Sequence, residues 1–318
     1  MTMILRPDFE HTACDFCGNS QTEILFEGPD RLLNRPGRFR VVRCTYCGLL
    51  RQDPRPTKHT IQFYYPPEYE PFSIAIDDEN SWLVRLDRRY GMIKRRRAVE
   101  QCCPGGRLLD VGCATGNFLY EMKRSGRWQV EGVEPNPEAA RYAKERFGLI
   151  IHVGDLTTVN LPEKSYDVIT MWDVFEHLHE PMTNLKIIKR LLKPGGWFIF
   201  SIPNIESWER KIFGKYWLGW ELPRHLYFPS KQMMETMLHN VGIKLYKWKC
   251  IGGAYQSFLF SLRFWLEGVF GRNAFTHSII FLSRTLPIRF LFSPFFWIIT
   301  RLNRASIIAG FANVDFDR

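Results

Sequence analysis

The stretch Arg107-Leu108-Leu109-Asp110-Val111-Gly112-Cys113-Ala114-Thr115-Gly116-Asn117-Phe118 decides the fold. Its first five residues read as a short, buried strand, and the glycines that follow open a loop into a helical pattern over 117–125. Glycines at such a loop let the backbone pass close to a ligand at the carboxyl end of the strand. The same alternation continues downstream. Strands are expected at Gln129–Glu134, Ile150–Val153, Tyr166–Met171, Trp197–Ile202 and Ile243–Cys250, with helices at Pro137–Phe147, near 181–192 and near 230–240. This pattern predicts an α/β fold, a doubly wound, Rossmann-like parallel sheet covered by helices. Ala305–Val314 is apolar enough to be a last strand.

Two acids follow the glycine loop at telling places. Glu134 ends the second strand, where a carboxylate can accept both ribose hydroxyls of a nucleoside. Asp155, in Gly154-Asp155-Leu156 after the third strand, could take the amino group of an adenine. With Leu109–Gly116, Gly132-Val133-Glu134-Pro135, Tyr166-Asp167-Val168-Ile169 and Leu192-Lys193-Pro194-Gly195-Gly196, the region 104–253 resembles the class I S-adenosylmethionine-dependent methyltransferase family. The resemblance implies S-adenosylmethionine as cofactor. It puts the methionine part on Gly112 and Gly116, the ribose on Glu134 and the adenine on Asp155, with Asp110 and Asp173 completing the set. Ala114 stands where the loop often has Gly. A nicotinamide dehydrogenase is the competing reading, but the loop lacks G-x-G-x-x-G spacing and the Lys-Pro-Gly-Gly turn stays unexplained.

Cys14-x-x-Cys17 and Cys44-x-x-Cys47 are each followed by a glycine. A two-residue spacer lets both thiolates of a knuckle face one metal ion, and the glycine permits the tight turn beneath them. Together they supply the four sulfurs of a closed, structural zinc site. The N-terminus shows no secretory signal pattern, which places the eight cysteines in a reducing cytoplasm. Cys102, Cys103, Cys113 and Cys250 lack metal spacing and read as small packing residues.

The 318 residues carry a net charge of +10, with 45% apolar and 24% charged residues. That composition excludes a mostly disordered chain and a polytopic membrane protein, and the excess charge invites a polyanionic partner. The expected organisation is a zinc lobe at 1–53, a connector and basic helix at 54–100, and a methyltransferase core at 101–254. An apolar and basic insertion at 255–305 and a last strand and tail at 306–318 complete it. The connector, with Pro54, Pro56, Pro66, Pro67 and Pro71, reads as extended. The helix after it, capped by Ser81, carries Arg85, Arg88, Arg89 and Lys94–Arg97, read as a solvated face. The insertion interleaves aromatics with six arginines and a single acid, Glu267, and is expected to break into short pieces at Pro287 and Pro294. Such a segment suits helices lying in a membrane interface; the competing reading is an extra helical layer or a dimer surface.

Methyl transfer to a hydroxyl needs a base. His225, in Trp220-Glu221-Leu222-Pro223-Arg224-His225-Leu226, is one candidate. The other is Asp173-x-x-Glu176-His177, which would share one helical face and resembles the Glu-x-x-Glu-His metal set of quinone-pathway O-methyltransferases. There the favoured reading is substrate positioning, with a bound divalent ion second. The zinc lobe ahead of the core, Ser201-Ile202-Pro203-Asn204 and the Trp220–Leu226 segment resemble enzymes that methylate sugars or other small metabolites in bacterial surface-polysaccharide pathways. The expected function is methyl transfer to a small or lipid-linked acceptor, a sugar hydroxyl in surface-glycan synthesis, at the inner face of the cytoplasmic membrane. Two alternatives stand beside it. A zinc-containing rRNA methyltransferase fits the charge but not the aromatic insertion, so nucleic acid is the disfavoured partner. A non-enzymatic cofactor-binding scaffold is the other.

Overall fold

A computed structural model describes residues 7–66, 69, 76, 82–252 and 254–314. Pro67, Pro71 and the expected cap Ser81 lie outside the described residues. The chain divides into two compact units. One comprises Met1–Tyr64, Ile202–Met234 and Trp248–Ala309, the other Tyr65–Ser201, Glu235–Lys247 and Gly310–Arg318.

The first unit opens with strands β1 (Phe9–Glu10), β2 (Thr22–Gly28), β3 (Phe39–Cys44), β4 (Leu50–Gln52) and β5 (Arg55–Pro56). Antiparallel pairing joins β2 to β3 and β3 to β4, while β1 pairs with β5. The chain continues through α1 (Trp82–Glu100), β6 (Gly106–Val111), α2 (Asn117–Arg124), β7 (Trp128–Glu134), α3 (Pro137–Phe147) and β8 (Ile150–Val153). Next come β9 (Tyr166–Trp172), α4 (Pro181–Leu191), β10 (Leu192–Pro203), α5 (Trp208–Phe213), β11 (Tyr227–Phe228), α6 (Lys231–Asn240) and β12 (Lys244–Lys249). Helices α7 (Ala254–Phe270), α8 (Ala274–Ser283) and α9 (Leu286–Arg301) precede the final β13 (Ile307–Asn313).

Seven strands form the main sheet in the order β12-β13-β10-β9-β6-β7-β8. The pairs β6–β7, β7–β8, β6–β9 and β9–β10 are parallel. The last strand runs antiparallel to β10: Val314 N donates to Gly196 O at one end, and Asn204 N to Ser306 O at the other. Strand order therefore reverses between β6 and β9, which is where doubly wound sheets bind their ligands. Strand β9 is buried along its length except at half-buried Asp167, as a strand covered by helices on both faces must be. Helix α3 shows how local chemistry sets the ends. The Asn136 side chain accepts from Glu138 N and Ala139 N, Pro137 occupies the first turn, and left-handed Gly148 stops it.

Three expectations are corrected. The Pro194-Gly195-Gly196 turn lies inside β10, where the register against β9 shifts between Leu192 and Trp197. Gly195 still pairs there, donating its N–H to Val314 O. Pro294 does not end a helix but sits within α9. Its missing N–H would have served the Phe290 carbonyl, and the Ser293 hydroxyl donates to that oxygen instead, at 2.8 Å. The cysteine-bearing segment is also not a lobe by itself. Phe39, Val41, Leu50 and Tyr64 share one core with Trp217, Trp220, Leu222 and Phe228, and β4 pairs with β11. A segment of some 50 residues buries little apolar surface alone, and here it borrows core from residues far along the chain. The connector takes part: β5 is paired, and Tyr64 is fully buried.

Candidate functional site

In the second unit, the loop after β6 turns on residues that only small side chains allow. Gly112 has φ 71°, and a Cβ there would lie 2.5 Å from Val174 Cγ2. Gly116 has φ 78° and precedes α2; a Cβ there would meet Leu149 and Ala143. Ala114, at φ 47°, occupies left-handed space without being glycine. The neighbouring acid holds it. Glu134 at the end of β7 accepts from Ala114 N through Oε2 and from Asn136 N through Oε1, each at 2.8 Å. Burial raises the Glu134 pKa, and these two N–H groups oppose the rise.

Asp110 is buried at the end of β6, accepting the Thr170 hydroxyl at 2.6 Å. Burial pushes its pKa up to about 7, against that hydrogen bond and the charge of Arg95. Asp155, after β8, accepts from Thr157 N at 2.9 Å and from the Thr157 hydroxyl at 2.5 Å. Gly112, Glu134 and Asp155 thus lie at or just beyond the carboxyl ends of three consecutive strands. A separate depression of about 500 Å³ lies at the opposite, amino ends, lined by Arg107, Arg127, Lys164 and Lys193. Arg107 is paired there with Glu131, and Lys193 with Asp167. It is remote from the glycine loop.

The loop after β9 departs from the expected helix. Asp173 has φ 57°, and the helical turn begins only at Phe175, as a single 3₁₀ turn over Phe175–His177. The shared face of Asp173, Glu176 and His177 therefore does not form. Asp173 is instead clamped by Ser201, whose Oγ accepts Asp173 N at 2.9 Å and donates to Asp173 Oδ1 at 2.7 Å. Arg95 of α1 reaches Asp173 Oδ2 at 2.6 Å and lies over the Trp172 ring. Among the described residues, no set of converging metal-ligating atoms includes Asp173. Asp173 therefore does not join Glu176 and His177 in one ligand set, the arrangement that the second reading, a bound divalent ion, requires. Glu176 is buried, and His177 Nδ1 meets the Tyr65 hydroxyl at 2.8 Å.

Nothing in the sequence singles out Arg95 or Tyr65 as a site residue. Arg95 was legible only as one cation in a basic run, and part of that run is not a solvated face. Arg96 pairs with Glu100 and Glu121, two carboxylates that the fold brings to it.

In the first unit, the Sγ atoms of Cys14, Cys17, Cys44 and Cys47 lie within 4.8 Å of one another, with Cys14–Cys47 and Cys17–Cys44 at 3.6 Å. Tetrahedral Zn–S bonds of about 2.3 Å would set sulfur–sulfur edges at about 3.8 Å, so the donor set fits zinc. The expected knuckle turns are present. Gly18 N donates to Cys14 O and Gly48 N to Cys44 O, with φ 75° and 79°. Nearby, Arg224 is buried and donates to both oxygens of Asp30 at 2.7 and 3.0 Å, to Tyr64 O and to Glu221. His225 is nearly buried; its Nδ1 lies 2.9 Å from Gly219 O and its Nε2 3.7 Å from Glu221.

Comparison with known proteins identifies the family. A family model described as "Methyltransferase domain" matches residues 85–247, just over half of the chain. The ubiquinone biosynthesis O-methyltransferase of Cereibacter sphaeroides is 33% identical over 144 residues, covering 43% of this chain and 58% of that protein. The protein of the same name from Ruegeria pomeroyi is 34% identical over 147 residues, covering 44% and 59%. The chain thus spans somewhat under two thirds of the length of these relatives. A SAM-dependent methyltransferase of known structure from Archaeoglobus fulgidus is 19% identical, covers 79% of this chain and 99% of its own, and superposes with a TM-score of 0.49. Sheet order, the glycine loop and the family match together place the chain in the class I S-adenosylmethionine-dependent methyltransferase family.

Proposed function

We propose that the chain transfers a methyl group from S-adenosylmethionine to the oxygen of a small hydroxyl acceptor. The observation that carries this is the array of Gly112, Glu134 and Asp155 at or just beyond consecutive strand ends beside the point where strand order reverses. Gly112 and Gly116 would take the methionine part, Glu134 the ribose hydroxyls and Asp155 the adenine amino group. The cofactor supplies a methyl already bonded to a good leaving group. What remains for the chain is alignment and removal of one proton. Asp110 acts indirectly, since its buried carboxyl accepts the Thr170 hydroxyl and so fixes the end of β6 against β9. Asp173, fixed by Ser201 and Arg95, presents a rigid wall at the end of β9.

Acceptance on oxygen follows the named activity of the two bacterial relatives. The proposed acceptor is a sugar hydroxyl on a small or lipid-linked glycan at the inner face of the cytoplasmic membrane. His225 is the proposed base: with its Nδ1 proton donated to Gly219 O, Nε2 is the basic nitrogen. The four cysteines are proposed to hold one structural zinc ion, which has no open position for chemistry.

The test is incubation of the purified chain and labelled S-adenosylmethionine with lipid-linked glycan extracts, followed by mass analysis of the sugars. A methyl ether on a sugar, lost in His225→Gln while cofactor affinity is kept, supports the reading. Label on RNA or on amino nitrogen, with none on sugar oxygen, overturns the acceptor.

A further inference from the structure

Helices α7 to α9 form an insertion between β12 and β13, and their inner faces are well seated. Phe258 of α7 packs edge-on against Phe213 and Phe296, and Tyr255 packs against Phe296. The outer faces of α8 and α9 are different. Phe281 is 71% exposed, Phe290 73%, Leu291 70% and Trp297 61%, with Phe275 and Leu282 also exposed. Soluble surfaces rarely gather so many large apolar side chains in one place. Arg272 is paired with Glu267 of α7, but from Asn273 to Leu302 stand Arg284, Arg289 and Arg301 and no Asp or Glu. No single described helix is long and apolar enough to cross a membrane. Helix α9, at 16 residues, would reach about 24 Å, short of a hydrocarbon core of about 30 Å. Helices α8 and α9 meet at a bend of 68°.

We infer that the α8–α9 elbow docks on an anionic lipid surface, its apolar face sunk into one leaflet and its arginines at the headgroups. The charge selects the occupant. A second copy of the chain would bring the same arginines against these, whereas anionic headgroups neutralise them. Apolar burial alone gives weak attachment, and the cations supply the second signal that stable interfacial binding needs. The inference deepens the lipid-linked acceptor reading and rests on it for its purpose, but its test involves no methyl transfer.

The full chain is floated with phosphatidylcholine vesicles and with vesicles containing phosphatidylglycerol, at low and high salt. Expected is flotation with the anionic vesicles that weakens with salt. The variant Phe290→Ser/Leu291→Ser/Trp297→Ser should lose at least tenfold in partitioning. Arg284→Gln/Arg289→Gln/Arg301→Gln should lose on the order of a hundredfold on anionic vesicles only. Circular dichroism and cofactor titration confirm that each variant is folded. No flotation of the folded wild type, or flotation unchanged in both variants, overturns the inference. So does a lipid-free dimer, seen by sedimentation, that the Phe290/Leu291/Trp297 variant dissolves. An inactive chain that floats as expected contradicts the methyl-transfer reading and leaves the lipid contact standing.

Discussion

Arg224 and Asp30, 194 residues apart in sequence, form a two-pronged ion pair with both side chains fully buried. The pair ties the segment that holds the first two cysteines to the Trp220–Leu226 stretch. Buried charges of this kind stabilise only as a pair. Asp30→Asn is expected to cost about 3–5 kcal/mol in urea denaturation, because the guanidinium loses its two-pronged partner in a dry core and keeps only the single contact with Glu221 as counter-charge. Asp30→Leu/Arg224→Met should recover most of that loss. A single variant within about 0.5 kcal/mol of wild type would show that the pair contributes nothing.

Metal analysis of the purified chain should find one zinc ion per chain. Cys44→Ser should remove most of it and lower the melting temperature, because Cys14 and Cys44 pack with Leu49, Leu226 and Tyr227 in one cluster. Chelation should have the same effect. A metal-free chain that melts at the wild-type temperature would leave the cysteines as packing residues.

Asp110 has a folded-state pKa of about 7, well above its ordinary value near 3.8. Its folded form binds more protons than the unfolded chain between those limits. Its contribution to stability is therefore complete below about pH 4 and lost as pH rises through 7. Glu209, fully buried against Ser306 and also near 7, acts in the same direction. Asp110→Asn should flatten the fall in urea midpoint between pH 5 and pH 8 relative to wild type. An unchanged slope would mean that Asp110 ionises normally in the fold.

Much of this molecule is legible in its sequence, and the limits have physical reasons. The strand and helix at 106–124 could be read because glycine punctuation and apolar runs are local signals. The knuckle turns at Gly18 and Gly48 were readable for the same reason. The place of Asp173 was not. Its left-handed backbone and its bonds to Ser201 and Arg95 depend on strands and helices distant in sequence. The solvated reading of the basic helix holds at exposed Arg89 and Arg97 but not at Arg95 and Arg96, because Asp173 and Glu121 reach these two only through tertiary packing. Pro294 reads as a breaker because its local propensity is strong; the neighbouring Ser293 hydroxyl supplies the carbonyl's missing donor.

Cofactor binding at Glu134 is tested most directly by calorimetric titration of S-adenosylmethionine into wild type and Glu134→Ala. Wild type should bind one cofactor per chain. The variant should bind roughly ten- to a hundredfold more weakly, as expected for loss of charge-assisted hydrogen bonds to two ribose hydroxyls. No binding by the folded wild type, or equal affinity in the variant, would contradict the assignment of this site.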